Sequence, residues 1–189
     1  MRRFDSRPVD EDLLRRLIAL TTAAPSVGFS QPTRYVRVTN ADRRAETVRE
    51  YERCNAQALA KYSDERARLY SELKLSGLRE APVHLAVFAD EQTERGSGLG
   101  RRTMPETSAY SAVTAVHTLW LAARAYGLGV GWVSILEPKR VRTLLEAPQS
   151  WRFIAYLCIG YPVEEHVDRE LLRAGWETED PASAFVHER

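Results

Sequence analysis

The sequence predicts a mixed helix-and-strand domain, α/β or α+β, built around one sheet of about four strands. Three observations lead there. A length of 189 residues suits one domain, or one domain with an excursion. Helical and strand-like periodicities follow one another as helix, strand, two helices, strand, helix, strand, helix, strand and tail, with no internal repeat. At the centre lies a stretch, residues 110–136 (YSAVTAVHTLWLAARAYGLGVGWVSIL), in which an apolar helix runs into a glycine-rich strand.

Residues 4–8 form a short extended entry. Residues 9–20 read as a helix with Asp10, Glu11 and Asp12 in its first turn, where the helix dipole favours acids. Leu13, Leu14, Leu17, Ile18 and Thr21 mark its buried face. The next segment, AAPSVGFSQP, breaks every periodicity. It is either a plain connector or a loop whose N–H groups and hydroxyls suit an anion such as phosphate. Residues 35–38 alternate as a strand. Asn40 or Asp42 can cap a helix reaching about Lys61, and Ser63 or Asp64 a second over 65–75, anchored by Leu69, Tyr70 and Leu73. Gly77 and Pro82 bracket a turn. Residues 82–89 (PVHLAVFA) are almost continuously apolar, as in a central strand, and His84 reads as a hydrogen-bonded strand histidine. Residues 90–104 are polar, carry Gly96, Gly98 and Gly100, and read as a mobile loop.

In the central stretch, Val113, Val116, Leu119, Trp120 and Ala123 fall at helical spacing. Ala112, Ala115, Leu121 and Ala122 fill the other sides, so the helix is expected to be buried all round, with His117 hydrogen-bonded in the core. Gly127 can take the left-handed position that ends it. Gly129 and Gly131 read as a turn into a strand of Trp132, Val133, Ser134 and Ile135. Glycines there let a backbone approach a flat ligand, with the Ser134 hydroxyl beside it; the alternative is a core turn and strand with no ligand. Pro138 opens a short helix over 139–145, and 152–160 is the last strand. Residues 164–189 form a charged tail whose Trp176 and Phe185 point to packing on something, a second subunit included.

Composition narrows the function. A net charge of +1 gives no reason to expect nucleic acid or a membrane surface as a partner. No apolar run is long enough to span a bilayer, and the N-terminus lacks a signal-type apolar core, so the cytoplasm is the expected compartment. Cys54 and Cys158 are too few for a disulfide framework or a metal cluster, and the four histidines show no metal spacing. There is no G-x-S-x-G elbow, no H-E-x-x-H and no Rossmann fingerprint. Read from its residues alone, the chain is an α and β domain with two loops suited to a ligand.

Four segments together carry a resemblance: APSVGFSQP, ELKLSGLREAP, YSAVTAVHTLWLAARAYGLGVGWVSI and LCIGYP. With them the chain resembles the nitroreductase-like flavoproteins, and within these it is most similar to the BluB, or 5,6-dimethylbenzimidazole synthase, family. The resemblance covers nearly the whole chain. It implies an α+β fold, an α/β sandwich with a central, mainly antiparallel sheet flanked by helices. It implies a single domain, residues 1–189, whose extension 164–189 packs on a partner subunit, and a homodimer with FMN at the interface. The implied reaction consumes the flavin: reduced FMN, supplied by a separate flavin reductase, reacts with O2 and is broken down to dimethylbenzimidazole and erythrose 4-phosphate. Carried over by position, Pro25, Ser26 and Gln31 belong to the loop near the flavin phosphate and ribityl, and Lys74 reaches the flavin. Gly131 and Trp132 supply backbone beside the isoalloxazine. Ser134 is the catalytic serine there. No metal is implied.

The chain also departs from the pattern. Family members carry an Arg-Arg-Asp-Val-Arg motif whose arginines hold the FMN phosphate and whose aspartate is the other key residue. In register, that aspartate falls just before Met1, and a start assigned too far downstream accounts for it better than a true short form. Gly175-Trp176 is followed by Glu177 and Glu179 where the family has arginines, and Gln31-Pro32 by Thr33 and Arg34. Arg34, or Arg2 and Arg3, could supply phosphate charge instead. The competing expectations are an NAD(P)H-dependent FMN nitroreductase, or a flavin-binding protein left inactive by the missing motif.

Overall fold

The computed structural model describes residues 2–73, 76–181 and 186. Eleven helices and strands succeed one another: α1 Glu11–Leu20, β1 Thr33–Arg37, α2 Ala41–Leu59, α3 Asp64–Glu72, α4 Gly77–Glu80, β2 Val83–Asp90, α5 Thr107–Ala125, β3 Gly129–Val133, α6 Pro138–Leu144, β4 Trp151–Gly160 and α7 Glu170–Arg173. The four strands form one sheet in the order β1-β2-β4-β3, antiparallel throughout. No helix is long and apolar enough among the described residues to cross a membrane.

Alternation along the strands sends side chains to two cores. Val83, Leu85 and Val87 of β2 and Ala155, Leu157 and Ile159 of β4 face α1 and α5, meeting Leu14, Leu17, Val116 and Leu119. Ala86, Phe88, Tyr156 and Cys158 point the other way, towards Val48 of α2, Leu78 of α4 and Val141 of α6. Both faces are covered, which is why β2 reads as a continuous apolar run although its neighbours are antiparallel. His84 is 1% exposed and its Nδ1 lies 3.0 Å from the Tyr156 hydroxyl, so it is the hydrogen-bonded strand histidine expected.

The helix starts follow local chemistry. Asp10 caps α1 by accepting from Leu13 N, and Asn40 caps α2 by accepting from Arg43 N. Proline at the start of α6 costs no hydrogen bond there. Residues 77–80, read as part of a turn, coil into α4. Gly77 is needed at that point because a Cβ would stand 2.7 Å from Phe4 Cε2. Phe4 is 3% exposed and bridges Pro162, which anchors the chain's entry beside the last strand.

Three expectations are corrected. Gly129 and Gly131 are not a turn before β3 but lie within its ladder, opposite Gly160 and Cys158. Only Gly127, at φ +72°, makes the turn, so the strand starts and ends earlier than its bulky residues suggest. The helix α5 is not buried all round: Tyr110 (55%), Val113 (41%) and Leu121 (59%) are exposed. His117 shares that outer face and is exposed rather than held in the core. Part of the C-terminal segment packs on this chain itself. Trp176 sits within its own chain against Tyr62 and Tyr70, ring centroids 5.6 and 6.0 Å away, with the Arg66 guanidinium 3.9 Å over its face. Phe185 lies outside the described residues.

Candidate functional site

The loop between α1 and β1 carries Pro25, Ser26 and Gln31, and α5 holds it by two polar side chains. Ser111 Oγ accepts from Val27 N at 3.0 Å, and Thr114 Oγ1 donates to the Pro25 carbonyl at 3.0 Å. Inside the loop, Gln31 N donates to Ser26 Oγ at 3.1 Å. Phe29 and Gln31 both have positive φ, 54° and 45°, a conformation that costs a non-glycine residue on the order of 1–2 kcal/mol. Such strain persists where surrounding contacts dictate it. Here they come from residues 91–105. Arg95 Nη2 donates to Gln31 Oε1 at 3.0 Å, and the turn Arg95–Gly98 packs on the turn Val27–Phe29. A Cβ on Gly96 would stand 2.3 Å from Gly28 O, so only glycine fits. The 90–104 loop, read as mobile, is thus seated on the ligand loop.

Behind this loop lies a cavity of about 290 Å³, lined among others by Ser26, Gln31, Tyr35 and Ser111. Burial raises the Tyr35 phenol, tempered by the Thr21 hydroxyl. That hydroxyl donates to the Ile18 carbonyl at 2.6 Å, and Tyr35 Oη is buried without a hydrogen-bond partner among the described residues.

At the other edge of the sheet stand Gly131 and Trp132 within β3 and Ser134 just past its end. Ser134 is exposed and its hydroxyl makes no hydrogen bond among the described residues. With β2 and β4 between, β1 and β3 are three inter-strand steps apart, about 14 Å. One chain therefore does not bring the Ser26–Gln31 group together with the Gly131–Ser134 group.

Lys74 lies outside the described residues. Its neighbours Leu73 and Ser76 line a cavity of about 520 Å³ shared with Arg2, Arg3, Glu80 and Arg173. Arg2 is fixed there: it donates to Leu73 O at 3.2 Å and pairs with Glu170 at 3.3 Å. Arg3 is exposed and makes no ion pair among the described residues. Arg173 is held by Asp168 at 2.7 Å. Arg34 is not in this cavity. It pairs with Asp90 at 2.9 Å and donates to the carbonyls of Gln31 and Thr33, tying β1 to the end of β2. The acids after Trp176 are also consumed elsewhere, Glu177 by Arg66 and Glu179 by Arg169.

The chemistry these groups offer is binding and orientation. The displaced carboxyls, Glu11, Glu50 and Glu65, are all lowered, each first of all by an arginine hydrogen bond, so none is held protonated as a general acid. The Cys158 thiol is pushed up to about 12 by burial and is inert. Reading by sequence misses Thr114 and Arg95. The signal for Thr114 was available: Ser111 and Thr114 are a polar pair at i, i+3 on an otherwise apolar helix. Arg95 has no such signal, because its partner Gln31 is 64 residues away.

Comparison with known proteins gives the family and the fold. The model of the Nitroreductase family matches residues 1–161. A 5,6-dimethylbenzimidazole synthase of Rhodospirillum rubrum is 55% identical over 181 residues, 96% of this chain and 86% of that protein. One from Rhodobacter capsulatus is 47% identical over 182 residues, again 96% of this chain and 87% of that protein. Among solved structures, iodotyrosine deiodinase bound to FMN and 3-iodo-L-tyrosine superposes with a TM-score of 0.71 at 23% identity, covering 89% of this chain and 92% of that one. That likeness speaks for the fold alone. The antiparallel four-stranded sheet between helical layers, the loop APSVGFSQP held by α5 and these matches place the chain in the nitroreductase family, among its 5,6-dimethylbenzimidazole synthases.

Proposed function

We propose that this protein is a 5,6-dimethylbenzimidazole synthase, an oxidoreductase that uses O2 to fragment reduced FMN into dimethylbenzimidazole and erythrose 4-phosphate. The observation that carries this reading is the 55% identity to a synthase over 96% of the chain. The residues present fit the flavin at three points. Arg3, without an ion pair among the described residues, offers the flavin's phosphate end a cation at a cavity that Glu72, Glu80, Glu164, Asp168 and Glu170 also line, while Arg2 and Arg173 are already paired with Glu170 and Asp168. Gly131 and Trp132 offer main chain beside a ring, and Ser134 offers a hydroxyl not engaged elsewhere. When bound, the reduced flavin supplies both the electrons that O2 takes up and the ring that becomes the product. The chain's own task is to hold it, orient it and keep water away. The Ser134 hydroxyl can donate to or accept from a ring atom. The strained loop at Ser26–Gln31 presents main-chain groups that need no rearrangement on binding.

The two groups stand at opposite edges of one sheet, so the complete site takes two chains. The loop of one copy would cover the β3 edge of the other, in a homodimer with FMN at the interface. Reduced FMN would come from a separate flavin reductase.

The test is direct. The protein, FMN, a flavin reductase and NADH are incubated in air and the products analysed by mass. Dimethylbenzimidazole is expected, with FMN consumed. Ser134→Ala should retain FMN binding and lose yield by about a hundredfold, the scale set by removing one positioned donor. An unchanged yield removes Ser134 from the mechanism. Repeated turnover of nitroaromatics with FMN left intact, and no dimethylbenzimidazole, would sink the synthase reading.

A further inference from the structure

We propose that the cavity between the 91–105 loop and the start of α5 is a binding site for a small oxyanion of the phosphate class. It measures about 600 Å³ and is lined by Glu91, Glu94, Ser97, Arg101, Arg102 and Ser108, besides Gly98 and Pro105. It shares no lining residue with the cavity beside Arg2 and Arg3 or with the one behind the Ser26–Gln31 loop.

Two polar groups in its wall lack a partner among the described residues, and one of them, Arg101 Nη1, is buried. Ser108 is 1% exposed, and its hydroxyl makes no hydrogen bond among the described residues. Arg101 turns Nη2 to the Thr93 carbonyl, while its Nη1 is buried with no acceptor among the described residues. A buried donor left without an acceptor is costly, and native structures satisfy nearly all of them. An oxyanion supplies what both lack. It accepts from the planar guanidinium and from the serine hydroxyl together, and charge assistance strengthens both bonds.

The charges facing the cavity are few. Arg102 adds a second cation with no ion pair among the described residues. Its Nε lies 2.7 Å from where a Cβ of Gly98 would stand, so the glycine leaves that side chain its place. Glu91 is drawn off by Arg152 at 3.5 Å. Glu94 is the one acid in the wall without a partner among the described residues. Two arginines against one free carboxylate leave the site positive, and the start of the 19-residue helix α5 adds to that sign. Because Arg95 and Gly96 of the same loop hold Gln31 and Gly28, an anion here would brace the loop that carries Ser26 and Gln31.

The experiment is a titration of the full-length, ¹⁵N-labelled protein with inorganic phosphate at constant ionic strength, read at the amides of Gly98 and Ser108. Both should shift and saturate. Arg101→Met and Ser108→Ala should each weaken the binding read at these amides by about tenfold or more, the value of a hydrogen bond to a charged group. Glu94→Gln removes only repulsion and should tighten it by about threefold. Gly98 and Ser108 amides that do not move overturn the proposal. So does a midpoint in Arg101→Met equal to that of the unaltered protein. If Arg101→Met disorders the loop, Glu94→Gln still decides: an affinity no tighter than that of the unaltered chain overturns the site.

Discussion

Burial fixes the protonation of His84, and with it part of the fold's response to pH. Desolvation first, and then the nearby Arg44 charge, lower its imidazole from 6.5 to about 4. A lowered histidine is neutral in the folded chain and charges more readily in the unfolded one. Its contribution is therefore complete above pH 6.5 and is lost as the pH falls from 6.5 towards 4. At 1.36 kcal/mol per pKa unit, the loss amounts to up to about 3 kcal/mol across that window. Urea midpoints measured from pH 7 to pH 4.5 should fall steeply, and His84→Gln should flatten that slope. An equally steep slope in the variant would place the titration elsewhere. Glu50 works in a lower window. Held at about 2, first by its hydrogen bond from Arg53, its carboxylate supports the fold above pH 4.5 and loses that support only as the pH drops towards 2. The two windows overlap near pH 4 to 4.5, where both slopes act, so Glu50→Gln should flatten the curve below about pH 4.5 and leave the slope above it, which belongs to His84, unchanged.

Among the elements, the contact between the 24–32 and 91–105 loops is the one whose failure should be most visible. Gly96 and Gly127 both have positive φ, 73° and 72°. A Cβ at Gly127 meets nothing within 4 Å, whereas at Gly96 it meets Gly28 O at 2.3 Å. Gly127→Ala should therefore cost only backbone strain, about 1 kcal/mol. Gly96→Ala should cost more and should unseat the ligand loop. Faster hydrogen exchange at Phe29 and Ser30, and weaker FMN binding, are expected in Gly96→Ala alone. Equal behaviour of the two variants would show that the loops are not coupled. This coupling is also where the sequence stops being readable. The order and type of helices and strands follow from periodicity, and the loop APSVGFSQP stands out by its composition. Nothing in the residues around Gly96 says that their backbone touches Gly28, because that contact is set by the packing of distant segments. The edges of β3 were misplaced for a related reason: glycine signals a turn locally, yet pairing with β4 decides the strand. The exposed face of α5 was missed because composition says how apolar a helix is and not how many sides the rest of the chain can cover.

At the scale of the whole molecule, those uncovered sides bear on the site. Tyr110, Val113, His117 and Leu121 recur at helical spacing on one outer face of α5, and three of the four are large apolar groups left in water. Exposed apolar faces of this kind mark surfaces of association. The flank of the same helix holds the ligand loop through Ser111 and the exposed Thr114, so covering the neighbouring outer face would fix the element on which that loop rests. A second copy is the occupant that also answers the geometry of the site, since each chain carries the Ser26–Gln31 group at one sheet edge and the Gly131–Ser134 group at the other. Light scattering coupled to size exclusion should give a dimer of the 21.5 kDa chain. Val113→Glu together with Leu121→Glu buries two carboxylates if that face is the interface, and should yield a folded monomer with its far-UV circular dichroism intact. That monomer should bind FMN at least about a hundredfold more weakly, because a pair of incomplete half-sites replaces a shared one. A variant that stays dimeric would move the interface away from α5. A monomer that binds FMN as tightly as the unaltered protein would show that one chain closes the site by itself, and the division of the site between the two sheet edges would then have to be abandoned.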